Sequence, residues 1–373
     1  MEERILILQP YLAPYRIDVY NYLSKYIDIK LLFWFNEAPE QKFNLEVLKQ
    51  KCSFKFAYLK GGFVVKNRII KFDIINQIIR YKPTHIICHE FGFFTIMSLI
   101  LSKFLRFKVI VNTDDNLEML ETVNGTRKYL QSICFKRVSG LITTNPSSLD
   151  YITSRFPRLE GHAIYYPILQ DEFSLRKELV QSLEISQKYL DFYKLNGKKV
   201  FLYVGRLAEE KRIDILISAF NDLVAIKPDI VLIIVGSGPS EKKLKEIVTH
   251  FKLNNKINFT GRTDGKELYA WYNIGQIFVL PSRFETFGAV VNEALISGNF
   301  VVTSNKVGSE FLIEKNNGII FKSGDVDSLV NALKVLIEKI SPIGKQIIIK
   351  KSKSVHSFDY FTNNLKDFLI KTF

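Results

Sequence analysis

Three cysteines are few for 373 residues, and Cys52, Cys88 and Cys134 are odd in number, far apart and outside any CxxC pair or histidine cluster. That excludes a disulfide framework and a structural zinc site and points to a reducing compartment. Long hydrophobic runs are also missing. The longest, residues 91–101, meets Lys103, Arg106 and Lys108 well short of the roughly 20 apolar residues a membrane span needs. The first four residues carry Glu2 and Glu3 where a secretory leader needs cations, and the following apolar run, 5–8, is four residues long. A first strand is expected there rather than a leader, and with it a cytoplasmic location. No stretch is polar or repetitive enough to read as disordered.

What is abundant is positive charge: 52 Lys+Arg against 38 Asp+Glu, a net charge of +14. It is concentrated in residues 51–108, where eleven Lys/Arg (51, 55, 60, 66, 68, 71, 80, 82, 103, 106 and 108) face only Asp73 and Glu90. Such a run attracts nucleic acid, anionic lipid or an anionic substrate, or is simply a solubilising face; charge alone does not choose.

A chain of this length exceeds one ordinary core and divides into two domains. Short apolar runs at 5–8, 30–34, 85–88, 108–112 and 141–143 alternate with helical patterns near 15–26, 69–81, 93–106, 118–136 and 146–155. The alternation repeats with runs at 199–204, 231–235, 257–260, 277–280 and 301–303 and helices near 213–225, 240–251, 266–272, 288–297 and 327–339. Strand–helix alternation builds parallel, doubly wound sheets, so the expectation is an α/β protein of two Rossmann-like domains. The expected division is 1–190, 191–350 and a Lys-rich C-terminal helix over 351–373 that packs back on the first domain, with the linker in the polar stretch 170–197. Ligands of such folds bind beyond the carboxyl ends of the strands.

Three loops after second-half strands carry chemistry. Gly205 permits close backbone approach, and Arg206 and Lys211 supply a fork and a point charge near a helix start, a diphosphate clamp in outline. Gly236-Ser237-Gly238-Pro239 is a Gly-x-Gly turn without the third glycine or downstream acid of a dinucleotide site, so it does not support a nicotinamide cofactor and reads as a tight turn at the ligand edge. Pro281 to Ala294 places Glu285 in a loop and Glu293 on a helix that begins near Gly288. The two acids, eight residues apart, can lie up to roughly 12 Å apart, a span that grips both ends of a nucleotide sugar. Glu293 sits among Ala289, Val290, Val291, Ala294, Leu295 and Ile296, so it calls for a partner.

Gly-Arg-Leu-x4-Lys, Val-Gly-Ser-Gly-Pro, Phe259-Thr-Gly-Arg262, Pro-Ser-x-x-Glu-x-Phe-Gly-x-x-x-x-Glu-Ala and Val307-Gly308-Ser309-Glu310 together resemble, in order and spacing over about 198–330, the donor domain of the retaining GT-B glycosyltransferases of the group 1 family. The resemblance implies a GT-B fold, two Rossmann-like domains facing each other across a cleft, and sugar transfer from a nucleotide-diphosphate donor to a glycan or lipid-linked acceptor with retention, in bacterial surface polysaccharide synthesis. It implies that Arg206 and Lys211 bind the donor diphosphate, that Glu285 meets the sugar hydroxyls and Glu293 the ribose, and that Phe287, Gly288 and Ala289 present backbone amides. Arg262 would lie beside the base, with Gly236 and Gly238 nearby. Neither metal nor cofactor is implied, the nucleotide sugar being a substrate; Asp114-Asp115 is a bare pair and not a DxD motif.

One departure stands out. Where many members carry a Gly-Gly loop, this chain has Gln9-Pro10-Tyr11-Leu12-Ala13-Pro14-Tyr15-Arg16. Tyr15 and Arg16 are acceptor-side or phosphate candidates, or a proline-started helix with a surface arginine. His89, Glu90, Asp114 and Asp115, in loops after first-half strands, are further candidates: His89 and Asp115 as catalytic groups, Glu90 and Asp114 on the acceptor side. The apolar helix 93–107 with its basic end is either a core helix or, joined to the basic run, a docking element on the inner face of the membrane. Against nucleic acid stands the lack of any recognised basic or aromatic motif. A nucleotide-sugar epimerase or hydrolase and an inactive GT-B scaffold are the rival readings.

Overall fold

The computed structural model describes residues 3–37, 44–65 and 68–371. The chain forms two compact units, one reaching to Gln170 and including the segment from Phe358, the other Asp171–Ser357.

The first unit is built on β1 (Arg4–Gln9), β2 (Asp28–Phe33), β3 (Lys55–Tyr58), a separate antiparallel hairpin of β4 (Phe63–Val65) and β5 (Arg68–Ile70), then β6 (His85–His89), β7 (Lys108–Thr113), β8 (Gly140–Thr143) and β9 (Ala163–Tyr165). Its parallel sheet has the order β3-β2-β1-β6-β7-β8-β9, reversing direction of addition between β1 and β6. Both faces are covered, which is why β1, β6 and β7 read as near-continuous apolar runs. Leu6, Leu8, Ile86, Cys88, Val109 and Val111 pack into one buried cluster. In the second unit β10 (Lys199–Val204), β11 (Ile230–Val235), β12 (Ile257–Gly261), β13 (Ile277–Leu280), β14 (Phe300–Ser304) and β15 (Gly318–Phe321) pair in parallel in the order β12-β11-β10-β13-β14-β15.

Several expected boundaries move, each for a local reason. The expected helix 69–81 begins only at Asp73, because 68–70 pairs with 63–65 as a hairpin. The pattern over 118–136 breaks into Leu117–Thr122 and Gly125–Arg137, with Gly125 at φ 57°. The stretch expected as linker folds as two helices, Glu172–Gln181 and Leu183–Phe192, seated on the helix Gly265–Ile274. There Asn273 Nδ2 donates to Leu179 O (2.9 Å) and Ser186 Oγ (3.1 Å), and Tyr189 stacks on Trp271 at 4.5 Å. This packing draws the division to 170/171, twenty residues before the expected 190/191.

The C-terminal helix is shorter than expected, Phe358–Lys371, and groups with the first unit through Tyr22 Oη to Asn363 Oδ1 (2.6 Å) and ring contacts of Tyr22 with Phe358 and Tyr165 with Phe361. Residues 343–357 instead run along the second unit, anchored by Gly197 N donating to Ile343 O (2.8 Å), by Ile343 N donating to Lys198 O (2.8 Å) and by Lys350. Lys66 of the expected basic run and the last two residues of the expected final helix lie outside the described residues.

Candidate functional site

In the second unit the candidate residues follow β10, β11, β12 and β13, adjacent in the sheet, so parallel pairing alone sets their loops side by side at one sheet edge. The β10 loop is pinned from below: Tyr203, fully buried, donates its hydroxyl to Arg206 O at 3.0 Å. It is also tied to the β11 loop by Leu207 N to Ser237 O (3.0 Å) and Ser240 N to Leu207 O (2.9 Å). This contact explains both glycines of the Gly-x-Gly turn. A Cβ on Gly236 would stand 1.9 Å from Gly205 O, and one on Gly238 2.4 Å from Leu207 O. Gly236 and Gly238 therefore answer first to the neighbouring loop, and with Gly205 they fix where Arg206 stands. Arg206 and Arg262 are exposed at the ends of their strands.

The β13 loop is zipped to the segment after β14. Glu285 N donates to Lys306 O (3.2 Å), Gly308 N to Glu285 O (3.0 Å) and Ser309 N to Phe287 O (2.8 Å). Gly308 is required there, since a Cβ would lie 1.9 Å from Thr286 O. Phe287 buries its ring against Phe311, and Gly288, at φ 87°, turns the chain into the helix Ala289–Ile296. That left-handed residue aims the helix's first amides at the loop edge. Glu285 is half-buried and paired with the Lys211 ammonium, likewise half-buried. Glu293 has the partner its apolar surroundings demand: Tyr272, a fully buried residue on Gly265–Ile274, donates its hydroxyl to Glu293 Oε2 at 2.8 Å. Burial and the Glu293 charge hold the Tyr272 phenol well above its ordinary range, so it stays a donor. Sequence reasoning does not reach Tyr272, which reads as one more core aromatic.

In the first unit the loops after β6 and β7 carry a buried charge network. Arg16 Nη2 donates to both Asp114 oxygens at 2.6 and 2.5 Å, and Asn112 Nδ2 to Oδ1 at 3.3 Å. Burial is the largest single influence and raises the Asp114 carboxyl, but Arg16, His89 and the Asn112 hydrogen bond together hold Asp114 below its ordinary range. Arg16 is only 8 % exposed, so the surface-arginine alternative does not hold. Glu90 takes a left-handed backbone (φ 61°), and its carboxylate accepts from Asp114 N (3.1 Å) and Arg127 (3.1 Å). Burial, then Asp115 and Asp114, push its pKa up. Asp115 is 1 % exposed, bound by Arg127 at 2.5 Å and Gln131 at 3.4 Å. It is thereby turned away from solvent, and the group that bridges outward is Arg127. Sequence reasoning missed Arg127 and Gln131; their signal is the i, i+4 spacing on Gly125–Arg137. Tyr15 is half-buried beside Arg16, its phenol raised by burial.

His89 has no hydrogen-bond partner at Nδ1 among the described residues, and burial, opposed by Asp114 and aided by Arg16 and Arg127, lowers its pKa to about 4. An unfolded histidine titrates near 6.5, so between those values only the unfolded chain binds the proton. Stability must fall as pH drops through that window, by about 3 kcal/mol for this group. Urea unfolding at pH 7 and pH 4 is expected to show wild type losing about that much more than His89→Asn; equal losses would contradict it.

Two doubly wound parallel units place the protein in the GT-B fold class, the fold of its structural neighbours: HepE of Anabaena in complex with UDP superposes with a TM-score of 0.73 at 17% identity, covering 100% of this chain and 96% of that one. WaaG, a glycosyltransferase involved in lipopolysaccharide biosynthesis, gives 0.62 at 12% identity, covering 90% of each. Residues 187–352 match the family described as glycosyl transferases group 1. Sulfoquinovosyl transferase SQD2 of Arabidopsis thaliana is 34% identical over 144 residues, 38% of this chain and 27% of that protein. The 2-deoxystreptamine N-acetyl-D-glucosaminyltransferase of Niallia circulans is 31% identical over 144 residues, 38% and 37% of the two chains. The matches thus span well under two thirds of these relatives' length.

No helix among the described residues is long and apolar enough to cross a membrane.

Proposed function

We propose that the protein is a glycosyltransferase that moves a sugar from a nucleoside-diphosphate donor to a glycan or lipid-linked acceptor with retention of configuration, in bacterial surface polysaccharide synthesis. The observation that carries this reading is the Lys211–Glu285 pair, set at the carboxyl ends of β10 and β13 next to the Gly288 helix start. Relatives with glycosyltransferase names, and a structural neighbour holding UDP, support the donor class.

In this reading the bond between the anomeric carbon and the diphosphate oxygen breaks, an acceptor hydroxyl oxygen bonds to that carbon and gives its proton to the departing phosphate, and negative charge gathers on that phosphate as the bond breaks. Arg206, Lys211 and the amides of Phe287, Gly288 and Ala289 meet that charge, which is electrostatic stabilisation by preorganised groups. Glu285 holds the sugar hydroxyls, and Glu293, oriented by Tyr272, accepts the ribose hydroxyls. Arg262 faces the base. Tyr15, Arg16, Glu90 and Asp114 are the acceptor-side candidates, with His89 and Asp115 behind them.

Because two cations supply the countercharge, no metal is needed, and initial rates in EDTA are expected to stay within about twofold of the untreated rate; loss restored by a divalent ion would contradict this. The reading itself is tested by offering UDP-, GDP-, ADP- and CMP-sugars with lipid-extract acceptors and following nucleotide release and acceptor mass. Acceptor-dependent release supports transfer. Donor epimerised or hydrolysed equally well without acceptor favours the epimerase or hydrolase reading, and donor bound without turnover the inactive scaffold.

A further inference from the structure

The helix Phe93–Leu105 is apolar on all sides, and its two faces meet different surroundings. Phe94, Thr95, Ser98 and Leu99 are buried against the first sheet. Phe93, Met97, Ile100 and Phe104 recur at helical spacing along another face, where Ile100 is 49% and Phe104 77% exposed, with Leu105 at 42% beside them. The stripe continues beyond the helix: the Phe93 ring meets Phe72 at 5.7 Å, and Phe72 meets Phe63 at 6.2 Å. Both Phe72 and Phe63 are half-exposed or more. Exposed Lys103, Arg106 and Lys108 flank Phe104 and Leu105 at the end of the helix, and exposed Lys60 precedes the hairpin. Of the two acids of this region, Glu90 is bound into the Arg127 network, and Asp73, which accepts from Lys60 N and Gln77, is one negative charge against these four cations.

We infer that this stripe docks on an anionic membrane surface, its rings entering the headgroup–acyl boundary while the cations meet lipid phosphates. Apolar side chains interleaved with long cationic ones are what an interfacial element requires, the lysine and arginine stems lying along the acyl boundary and their charges in the headgroups. A second copy of this chain fits worse. A two-fold contact would set the same basic rim against itself. The inference goes beyond the transfer reading, and its test uses neither donor nor acceptor, so the two stand or fall separately.

Co-sedimentation is measured with vesicles of phosphatidylcholine alone and with about 30% phosphatidylglycerol added. Wild type is expected to bind the anionic vesicles, Phe104→Asp to bind them roughly tenfold more weakly, and Lys103→Glu/Arg106→Glu to lose the preference for anionic lipid. Phe173→Asp, an 80% exposed position of the second unit, is expected to bind as wild type does. Unchanged melting of Phe104→Asp without vesicles shows the variant folded. Wild type that ignores anionic vesicles, or folded Phe104→Asp that binds as wild type does, overturns the inference. So does a wild-type dimer in light scattering that Phe104→Asp converts to monomer, because the stripe would then cover a second copy.

Discussion

Replacing Lys211 by methionine is expected to lower kcat by about 10²–10³-fold, the loss that follows removal of one preorganised charge-stabilising group, about 2.7–4 kcal/mol. The geometry pushes the figure toward the upper end. Lys211 neutralises Glu285 before any donor arrives, so deleting it both removes a cation from the departing diphosphate and leaves a half-buried carboxylate uncompensated beside it. Both changes oppose charge gathering on the leaving group. Because that charge grows only as the bond breaks, kcat should fall more than donor KM rises. Lys211→Arg, which keeps the charge but changes its shape, should fall between. If Lys211→Met raises KM and leaves kcat untouched, the lysine serves ground-state binding and the electrostatic account of the leaving group is wrong.

Lys350→Met is expected to destabilise the second unit by about 3 kcal/mol, lowering its melting temperature by roughly 6–12 °C. The Lys350 ammonium donates to Tyr272 O (2.9 Å), Asn273 O (2.7 Å) and Gly275 O (2.5 Å), the carbonyls that close the helix Gly265–Ile274 and lack helical partners of their own. A cation at this end also meets the negative end of the helix dipole, which works against the burial and the nearby Lys353 that lower the Lys350 pKa to about 7. Methionine matches the stem and leaves Asn273 O and Gly275 O without the ammonium, Tyr272 O keeping Asn299 Nδ2 at 3.1 Å, and such loss of donors is costlier than never having had the lysine. Since the same helix carries Tyr272, the partner of Glu293, the variant should also weaken donor binding. A loss under about 1 kcal/mol in urea unfolding would mean that water replaces the ammonium without penalty.

The interior of both sheets is legible in the letters because strands buried on both faces must be apolar throughout; β10 and β13 fall where their runs begin and end. The edge strands β3, β9 and β15 are not, because their apolar runs, 56–58, 163–165 and 319–321, are short and only partly covered. The helices of 172–192 read as linker because charged and polar residues interrupt their apolar positions, of which only Leu175, Leu179 and Leu190 are buried; what orders them is Trp271 and Asn273, more than eighty residues away. The candidate site divides the same way. Glu285, Glu293, Arg206 and Lys211 show themselves by spacing after strands, whereas Tyr272, Arg127 and Lys350 act across sequence distance and have letters that suit a core or a surface equally well. The apolar helix 93–105 was two-valued in sequence, and the structure gives it both a core face and an exposed one.

The central claim is that the second unit holds a nucleoside diphosphate at the carboxyl ends of β10 to β13. Its most direct measurement is the melting temperature of the protein with UDP, GDP, ADP and CDP, alongside Arg206→Ala and Glu293→Ala. One nucleotide is expected to stabilise wild type by about 2.7 kcal/mol at a hundred times its dissociation constant, and neither variant by as much. Folded wild type that none of the four stabilises, or stabilisation that survives in full in both variants, would contradict the account.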